Sequence, residues 1–441
     1  MPKSHRATLL NAFTPSHEIT DPKLFAGRHE QVRELTDSLH TAAEIPLIYG
    51  DRGLGKSSLA IQMQWIAMGA TELLDSMGAH DHAIDQEDAF MVFYATCSDE
   101  IRNDADLLQL LINCMEEVDL ESKTRKVSKL VDRKTRKQLS FKVVQLESTK
   151  TYQQEAARIK HEKLNQSEKL LGLVRAMMDS VGQRRILFVI DELDRVADLS
   201  GFASFLHNSS SPELRFALVG AAQSVADLHL SHHSIDRHLA PVQVTRMSNG
   251  ELADVIDRAL HSLRAQGLNY KFAPDARTRL VRTAVGFPWF VHVIGQQSLL
   301  AAYEQGSATV SNENITQAIR KLTDKRFAQQ FADSYQHAVR DSITREKVLR
   351  LLAAWPGEDI PTGDAYAILR SCGVSKPSTY VKQLKSYEYG EVLTSPGYQR
   401  SSLIRFKNEM FRQYAYLRPP IHDPVDVDAI ENAIASYSRR G

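Results

Sequence analysis

The stretch Gly50-Asp51-Arg52-Gly53-Leu54-Gly55-Lys56-Ser57 decides how the rest of this chain is read. It has the spacing G-x-x-x-x-G-K-[ST]. An apolar run at 46–49 precedes it, and Ser57-Ser58-Leu59-Ala60-Ile61 opens a helix after it, so the order is strand, tight turn, helix. The glycines allow the main-chain amides from Gly50 to Ser57, those of Asp51, Arg52, Gly53 and Leu54 included, to turn inward around a phosphate with no Cβ in the way. The helix start, with Ser58 beside Ser57, adds the positive end of its dipole. Lys56 can then bridge two phosphates of a nucleotide, and the Ser57 hydroxyl suits Mg²⁺, a hard cation that takes oxygen ligands. A glycine-rich turn without a nucleotide would look similar, but this pattern should arise by chance in only about one or two in a hundred chains of this length.

Such a loop needs an acid nearby to hold the metal, and Ile186-Leu187-Phe188-Val189-Ile190-Asp191-Glu192 supplies a pair. Five apolar residues fit a strand buried on both faces, and the acids fall at its carboxyl end, where open α/β sheets place ligands. Asp191 is the candidate Mg²⁺ partner, and Glu192 the candidate that orients the attacking water. Asp194 and Arg195 continue the charged turn, and the sequence assigns them no chemistry.

Outward from these two motifs, the first half alternates apolar runs at 46–49, 89–95, 186–190 and 216–219, with 241–244 as a fifth, and amphipathic stretches between them. That is an α/β pattern with a mainly parallel sheet. From about Asn249 the pattern turns helical, beginning with the stripe Leu252, Val255, Ile256, Ala259, Leu260 and Leu263. Between the second and third strands lies an insert, 99–185, far longer than a simple crossover requires. Its residues 121–170 carry 14 Lys or Arg against 6 Asp or Glu, with a short strand predicted at 140–146. Two readings stand: a solvated helical excursion, or a basic arm for nucleic acid or a partner.

The 441 residues hold 54 Lys plus Arg and 54 Asp plus Glu, so no global field favours nucleic acid or an anionic membrane. Three cysteines without CxxC spacing, Cys97, Cys114 and Cys372, indicate neither a disulfide framework nor a zinc ribbon. No apolar run is long enough to span a bilayer, and no signal-length run follows Met1 to Arg6; the expectation is a cytoplasmic protein with no membrane partner. The histidines His229, His232, His233 and His238 lack the spacing and carboxylates of a metal site and read as a His-rich loop. Met63, Trp65, Ile66 and Met68 read as packing of the phosphate-loop helix on the sheet.

Taken together, the chain resembles the additional-strand P-loop ATPases, in particular the AAA+ and STAND branches related to archaeal Orc1/Cdc6-type initiators. Leu24-Phe25-Ala26-Gly27-Arg28-His29-Glu30 is similar to the box that packs near adenine in those families, which implies nucleotide contacts from Phe25 and Arg28. Gln223, after the strand at 216–219, stands where they carry a polar sensor, and Arg237 in the segment that bears their arginine finger. Gly286-Phe287-Pro288 resembles the G-x-P motif of STAND lids, in which Pro288 would touch the nucleotide. The resemblance covers about residues 24–325, the insert excepted. It implies ATP and Mg²⁺ as cofactors and a homo-oligomer.

Residues 342–416 read as three helices, 342–354, 362–372 and 376–387, followed by a hairpin of 391–394 with 403–406 across Ser395-Pro396-Gly397. This resembles a winged helix, with Lys376, Lys382, Lys385, Tyr380 and Tyr387 on its third helix and Arg400 and Arg405 on its wing. The expected architecture is therefore an α/β P-loop NTPase core at 1–245, a helical lid at 246–325, a winged-helix domain at 326–418 and a tail at 419–441. The expected function is an ATP-binding and hydrolysing switch that couples nucleotide state to oligomerisation or to a protein effector, by resemblance in bacterial signalling or anti-phage defence. The competing expectation is a DNA-binding initiator, transposition or loader ATPase.

Overall fold

Five apolar runs assemble into one parallel sheet. They are β1 (Ile45–Gly50), β2 (Met91–Thr96), β3 (Ile186–Asp191), β4 (Leu214–Ala221) and β5 (Leu239–Gln243), in the spatial order β2-β3-β4-β1-β5. The computed structural model describes residues 5–41, 44–116, 146–181, 185–222, 225–228, 235–355, 357, 359–396 and 402–421. By its contacts the chain divides into two units, Ser16–Ser262 and Met1–Pro15 with Leu263–Gly441. The sequence boundaries had placed the first fifteen residues with the sheet.

Every residue of β3 is buried, as its unbroken apolar run requires of a strand covered on both faces. β4 separates β3 from β1, so the loop strand and the acid strand are second neighbours. The register aligns their ends: Gly50 pairs with Ala221, Ile190 with Leu218, and Thr96 with Asp191. A ladder of stacked rings fixes that register on one face. Phe93, Phe188 and Phe216 lie directly opposite one another, with centroids 5.3 and 5.7 Å apart, and Phe205 of the helix Ser200–Ser209 meets Phe216 edge-on at 5.8 Å.

The described helices of the insert, Asp104–Glu116, Leu146–His161 and Gln166–Val181, form part of this core. Leu107, Leu111, Met115, Tyr152, Ile159, Leu170 and Met177 are buried in one cluster with the sheet, and the Tyr152 hydroxyl donates to the Met115 carbonyl at 2.9 Å. Of the residues 121–170, read as a solvated helical excursion or a basic arm, the described part from Leu146 is mainly helical, and its apolar stripe at Tyr152, Ala156 and Ile159 is covered by its neighbours. The most basic segment, and the strand predicted at 140–146, lie outside the described residues, save that Leu146 begins a helix.

In the second unit, β6 (Lys271–Phe272) and β7 (Thr309–Val310) form a short parallel pair beside the helices Pro274–Ala284, Pro288–Glu304 and Asn312–Lys321. The helix Pro288–Glu304 is buried around most of its circumference. One cover is the segment from His5 to Pro15. Its Phe13 ring sits fully buried against Gly295, and the Trp289 indole N–H donates to the Pro15 carbonyl at 2.9 Å.

Further along run the helix Ile343–Ala353, β8 (Ile360–Pro361), the helices Thr362–Ser371 and Pro377–Leu384, β9 (Leu393–Thr394), β10 (Leu403–Phe406) and the helix Glu409–Leu417. The strands form an antiparallel sheet in the order β8-β10-β9. The third helix ends at Leu384, three residues short of the expected limit. Gly390 and Glu391 both take positive φ, which delays β9 to Leu393. Gly397 and Arg400, at the predicted wing tip, lie outside the described residues.

Candidate nucleotide site

The phosphate loop begins where β1 stops. Gly50 has φ 148°, and a Cβ built on it would lie 2.4 Å from the Val244 carbonyl oxygen, so no other residue fits without moving backbone. Gly53 and Gly55 follow at φ 84° and 92°, the latter as the left-handed N-cap of the helix Lys56–Ala67. The Lys56 ammonium donates to the Asp51 carbonyl at 2.8 Å across the loop. Burial lowers its pKa, while the charges of Asp194, Asp191 and Asp51 oppose that effect. The helix therefore starts on a half-buried cation facing carboxylates. Ser57 is the second residue of that helix. The Ser58 hydroxyl oxygen accepts the Ile19 N–H at 3.0 Å, a structural use alongside its predicted place at the site.

At the end of β3 the Asp191 carboxylate is buried and doubly held. The Tyr94 hydroxyl donates to one oxygen at 2.6 Å and the Glu192 N–H to the other at 2.7 Å. Burial first, and then the neighbouring Asp191 charge, push the Tyr94 hydroxyl far above its ordinary pKa, so it remains a donor. Glu192 takes φ 56° and opens the tight turn Leu193–Arg195, which returns Arg195 to it: Nε lies 2.5 Å from a Glu192 carboxylate oxygen, and Nη1 lies 2.9 Å from Asp99. Asp194 accepts the Ala221 N–H from the end of β4 at 2.7 Å and pairs with Arg52 of the loop at 3.3 Å.

The segment before the loop reaches it directly. Gly27 and Arg28 take φ 63° and 62° ahead of the helix His29–His40. The Arg28 N–H donates to the Glu251 carboxylate at 2.9 Å, and its guanidinium donates to the Leu54 carbonyl at 3.0 Å. Burial brings the Arg28 pKa down to about 10 against the pull of Glu251. For Glu251, burial works upward, but the hydrogen bonds from Arg28 and Ser248 hold its carboxyl below the ordinary value. Phe25 is buried in the same segment.

The structure thus brings Lys56, Asp191, Glu192 and Arg28 to the sheet end where the loop lies. Arg237 is exposed in the turn before β5. Pro288 lies in the other unit, buried in the first turn of its helix. Gln223 is outside the described residues, as are His229, His232 and His233. Among the described residues, no cluster of three or more His, Cys, Asp or Glu side chains is arranged to hold a metal by itself. Ser57 and Asp191 offer oxygen donors alone, and Asp191 keeps its carboxylate oriented by Tyr94, which fits Mg²⁺ carried largely by a nucleotide.

Sequence reasoning missed Tyr94 and Glu251, and it named Asp194 and Arg195 without giving them a role. A polar-tipped ring inside the apolar run of β2 was a signal for Tyr94. Nothing in the sequence pairs Arg28 with Leu54 or Glu251, which lie 26 and 223 positions away.

No protein-family model and no curated protein matches the chain. Similar solved structures include the Walker-type ATPase of Pyrococcus abyssi, at 14% identity over 92% of this chain and 99% of that one, with a TM-score of 0.49. Cdc6p from Pyrobaculum aerophilum is 13% identical over 98% of each chain, at 0.40. The ORC1 protein of Aeropyrum pernix, solved in complex with DNA, is 14% identical over 99% of this chain and 98% of that one, at 0.37. With TM-scores below 0.5, these likenesses add no weight to the geometry above.

Proposed function

We propose that the chain is an ATP-binding, hydrolysing switch of the AAA+/STAND type. One observation carries the reading: the Lys56 ammonium crosses the loop to the Asp51 carbonyl at 2.8 Å and feels the charges of Asp194 and Asp191 at the carboxyl end of a parallel sheet, where the loop begins at a Gly50 that has no room for a Cβ. The loop amides and Lys56 bind the phosphates. Mg²⁺, when bound, neutralises charge on the transferring phosphoryl group, and Ser57 and Asp191 would hold it. Glu192 orients the attacking water. Phe25 and Arg28 support the base and the loop, with Gln223 as a polar sensor and Arg237 of a neighbouring subunit completing the site. Loss of the γ-phosphate removes contacts to the loop. Through Pro288 of the lid, 246–325, that change is passed to the winged-helix domain, 326–418, and to a protein effector. The setting is cytoplasmic signalling or anti-phage defence, with the protein as a homo-oligomer.

The test is nucleotide binding and turnover by the full chain. Lys56→Ala should abolish ATP binding, and Glu192→Gln should bind ATP with turnover reduced at least 100-fold, on the order of what a lost positioned base removes. Unchanged ATP affinity in Lys56→Ala overturns the assignment.

The helix Pro377–Leu384, flanked by exposed Lys376 and carrying exposed Lys382 ahead of a small antiparallel sheet, favours a second reading as a DNA-binding initiator or loader ATPase. Arg405 is no free phosphate contact, because Asp359 holds its guanidinium at 2.6 Å. A steep fall in duplex affinity with salt would support this reading, and no binding at low salt would remove it.

A further inference from the structure

We infer that Asp194 competes with a nucleotide's phosphates for the side chain of Arg52, so that this acid sets the affinity of the site. The inference rests on the loop being a phosphate site, and it concerns two side chains that the loop pattern does not prescribe. Residue 52 is an x position of G-x-x-x-x-G-K-[ST], where the amide serves the cradle whatever the side chain is. An arginine there brings a second cation to a loop that already has Lys56.

The two partners are held very differently. One Asp194 oxygen accepts the Ala221 N–H at 2.7 Å, and the side chain is only 17% exposed. Ala221 ends β4 and pairs with Gly50, where the loop begins, so Asp194 is fastened to the rim of the cradle. The Arg52 side chain is 74% exposed, and its Nη2 meets the other Asp194 oxygen at 3.3 Å. A fixed acid thus faces a cation on a free stem, and of the two it is the arginine that can change partner. Lys56 belongs to the same neighbourhood. Burial lowers its pKa; against that, the Asp194 charge raises it more than any other does, and the Arg52 charge lowers it.

Chemistry decides the direction of the exchange. A guanidinium presents several N–H donors in a planar fork, and the contact with Asp194 uses one of them at a long distance. A phosphate accepts two such donors side by side, in shorter bonds. Arg52 should therefore pass to a phosphate that enters the loop, and the contact with Asp194 is what that step gives up. Exposed ion pairs shift equilibria by about two- to five-fold, so Asp194 tunes affinity and does not close the site.

The experiment measures ATP affinity at equilibrium, and the unfolding midpoint without nucleotide, for the full chain and for Asp194→Asn, Arg52→Gln, Arg52→Lys and the double variant of the first two. Asparagine keeps an oxygen for the Ala221 N–H and loses the charge. Asp194→Asn should therefore bind ATP about two- to five-fold more tightly with an unmoved unfolding midpoint. Arg52 is exposed, so its replacement leaves the packing alone; Arg52→Gln should bind ATP about five- to ten-fold more weakly. Arg52→Lys, which keeps the charge and loses the fork, should lie between wild type and Arg52→Gln. In the Arg52→Gln background the gain from Asp194→Asn should shrink, because one of its two cations is gone. Unchanged or weaker ATP binding in Asp194→Asn, unchanged binding in Arg52→Gln, or a gain of equal size in both backgrounds overturns the competition. Failure of the wild type to bind ATP overturns the reading of the site instead, so the two failures are distinguishable.

Discussion

Gly50 shows how tightly single residues are specified at the sheet end. Its hypothetical Cβ meets a carbonyl of the chain leaving β5, and a main-chain oxygen cannot swing aside as a side chain would. Gly50→Ala should cost about 2–4 kcal/mol, and a denaturation midpoint shifted by less than about 0.5 kcal/mol would contradict the geometry. The sequence motif requires a glycine there for the phosphate; the fold requires it for Val244 as well. The same double use recurs at Asp194, which serves β4 through Ala221 and the loop through Arg52. The loop and the acid pair were legible because each is a contiguous string with its own chemistry. Arg28, Tyr94 and Glu251 were not, since their partners are chosen by chain crossings.

Among the elements, the helix Pro288–Glu304 depends on what covers it. The Phe13 ring is fully buried 2.8 to 3.2 Å from where a Cβ on Gly295 would stand. Two effects compete in Gly295→Ala. Alanine gains about 1 kcal/mol of helix propensity, whereas displacing a packed ring costs about 1–3 kcal/mol. The clash should win, with a net loss of roughly 1 kcal/mol in thermal unfolding. Phe13→Ala should cost more, about 3–5 kcal/mol, because it leaves a cavity under the whole strap. A stabilised Gly295→Ala would show that the ring has room to move. In the sequence Gly286-Phe287-Pro288 is read for its resemblance to a lid motif; in the structure Pro288 opens the helix, and the cover comes from residues nearly 300 positions earlier, a separation that periodicity does not register.

At the scale of the molecule, the buried histidine of the second unit sets an acid limit. His292 accepts the Thr14 N–H at 3.2 Å on Nδ1, and burial lowers its pKa from 6.5 to about 4. The unfolded chain therefore binds a proton below about pH 6.5 that the folded chain refuses until about pH 4. The stability associated with neutral His292 is complete above pH 6.5 and is lost as pH falls to 4. The ring is half-buried by area, so the loss is of the order of 2 kcal/mol, below the full value of the shift. Unfolding midpoints of wild type and His292→Phe, measured from pH 7.5 to 4, should diverge: the wild type falls more steeply through this window. Parallel curves would assign the acid sensitivity to other groups.

The sequence by itself determined the local objects: the glycine loop, the apolar β3 that ends in acids, the helix starts and the α/β order, because each is set by steric and solvation rules acting over a few adjacent residues. Only the tertiary structure decided that β4 stands between loop and acids, that the insert helices belong to the core, that Arg28 reaches the Leu54 carbonyl, and that Glu192 is paired with Arg195. Those outcomes depend on which surfaces are buried together, and burial is settled by the whole chain at once.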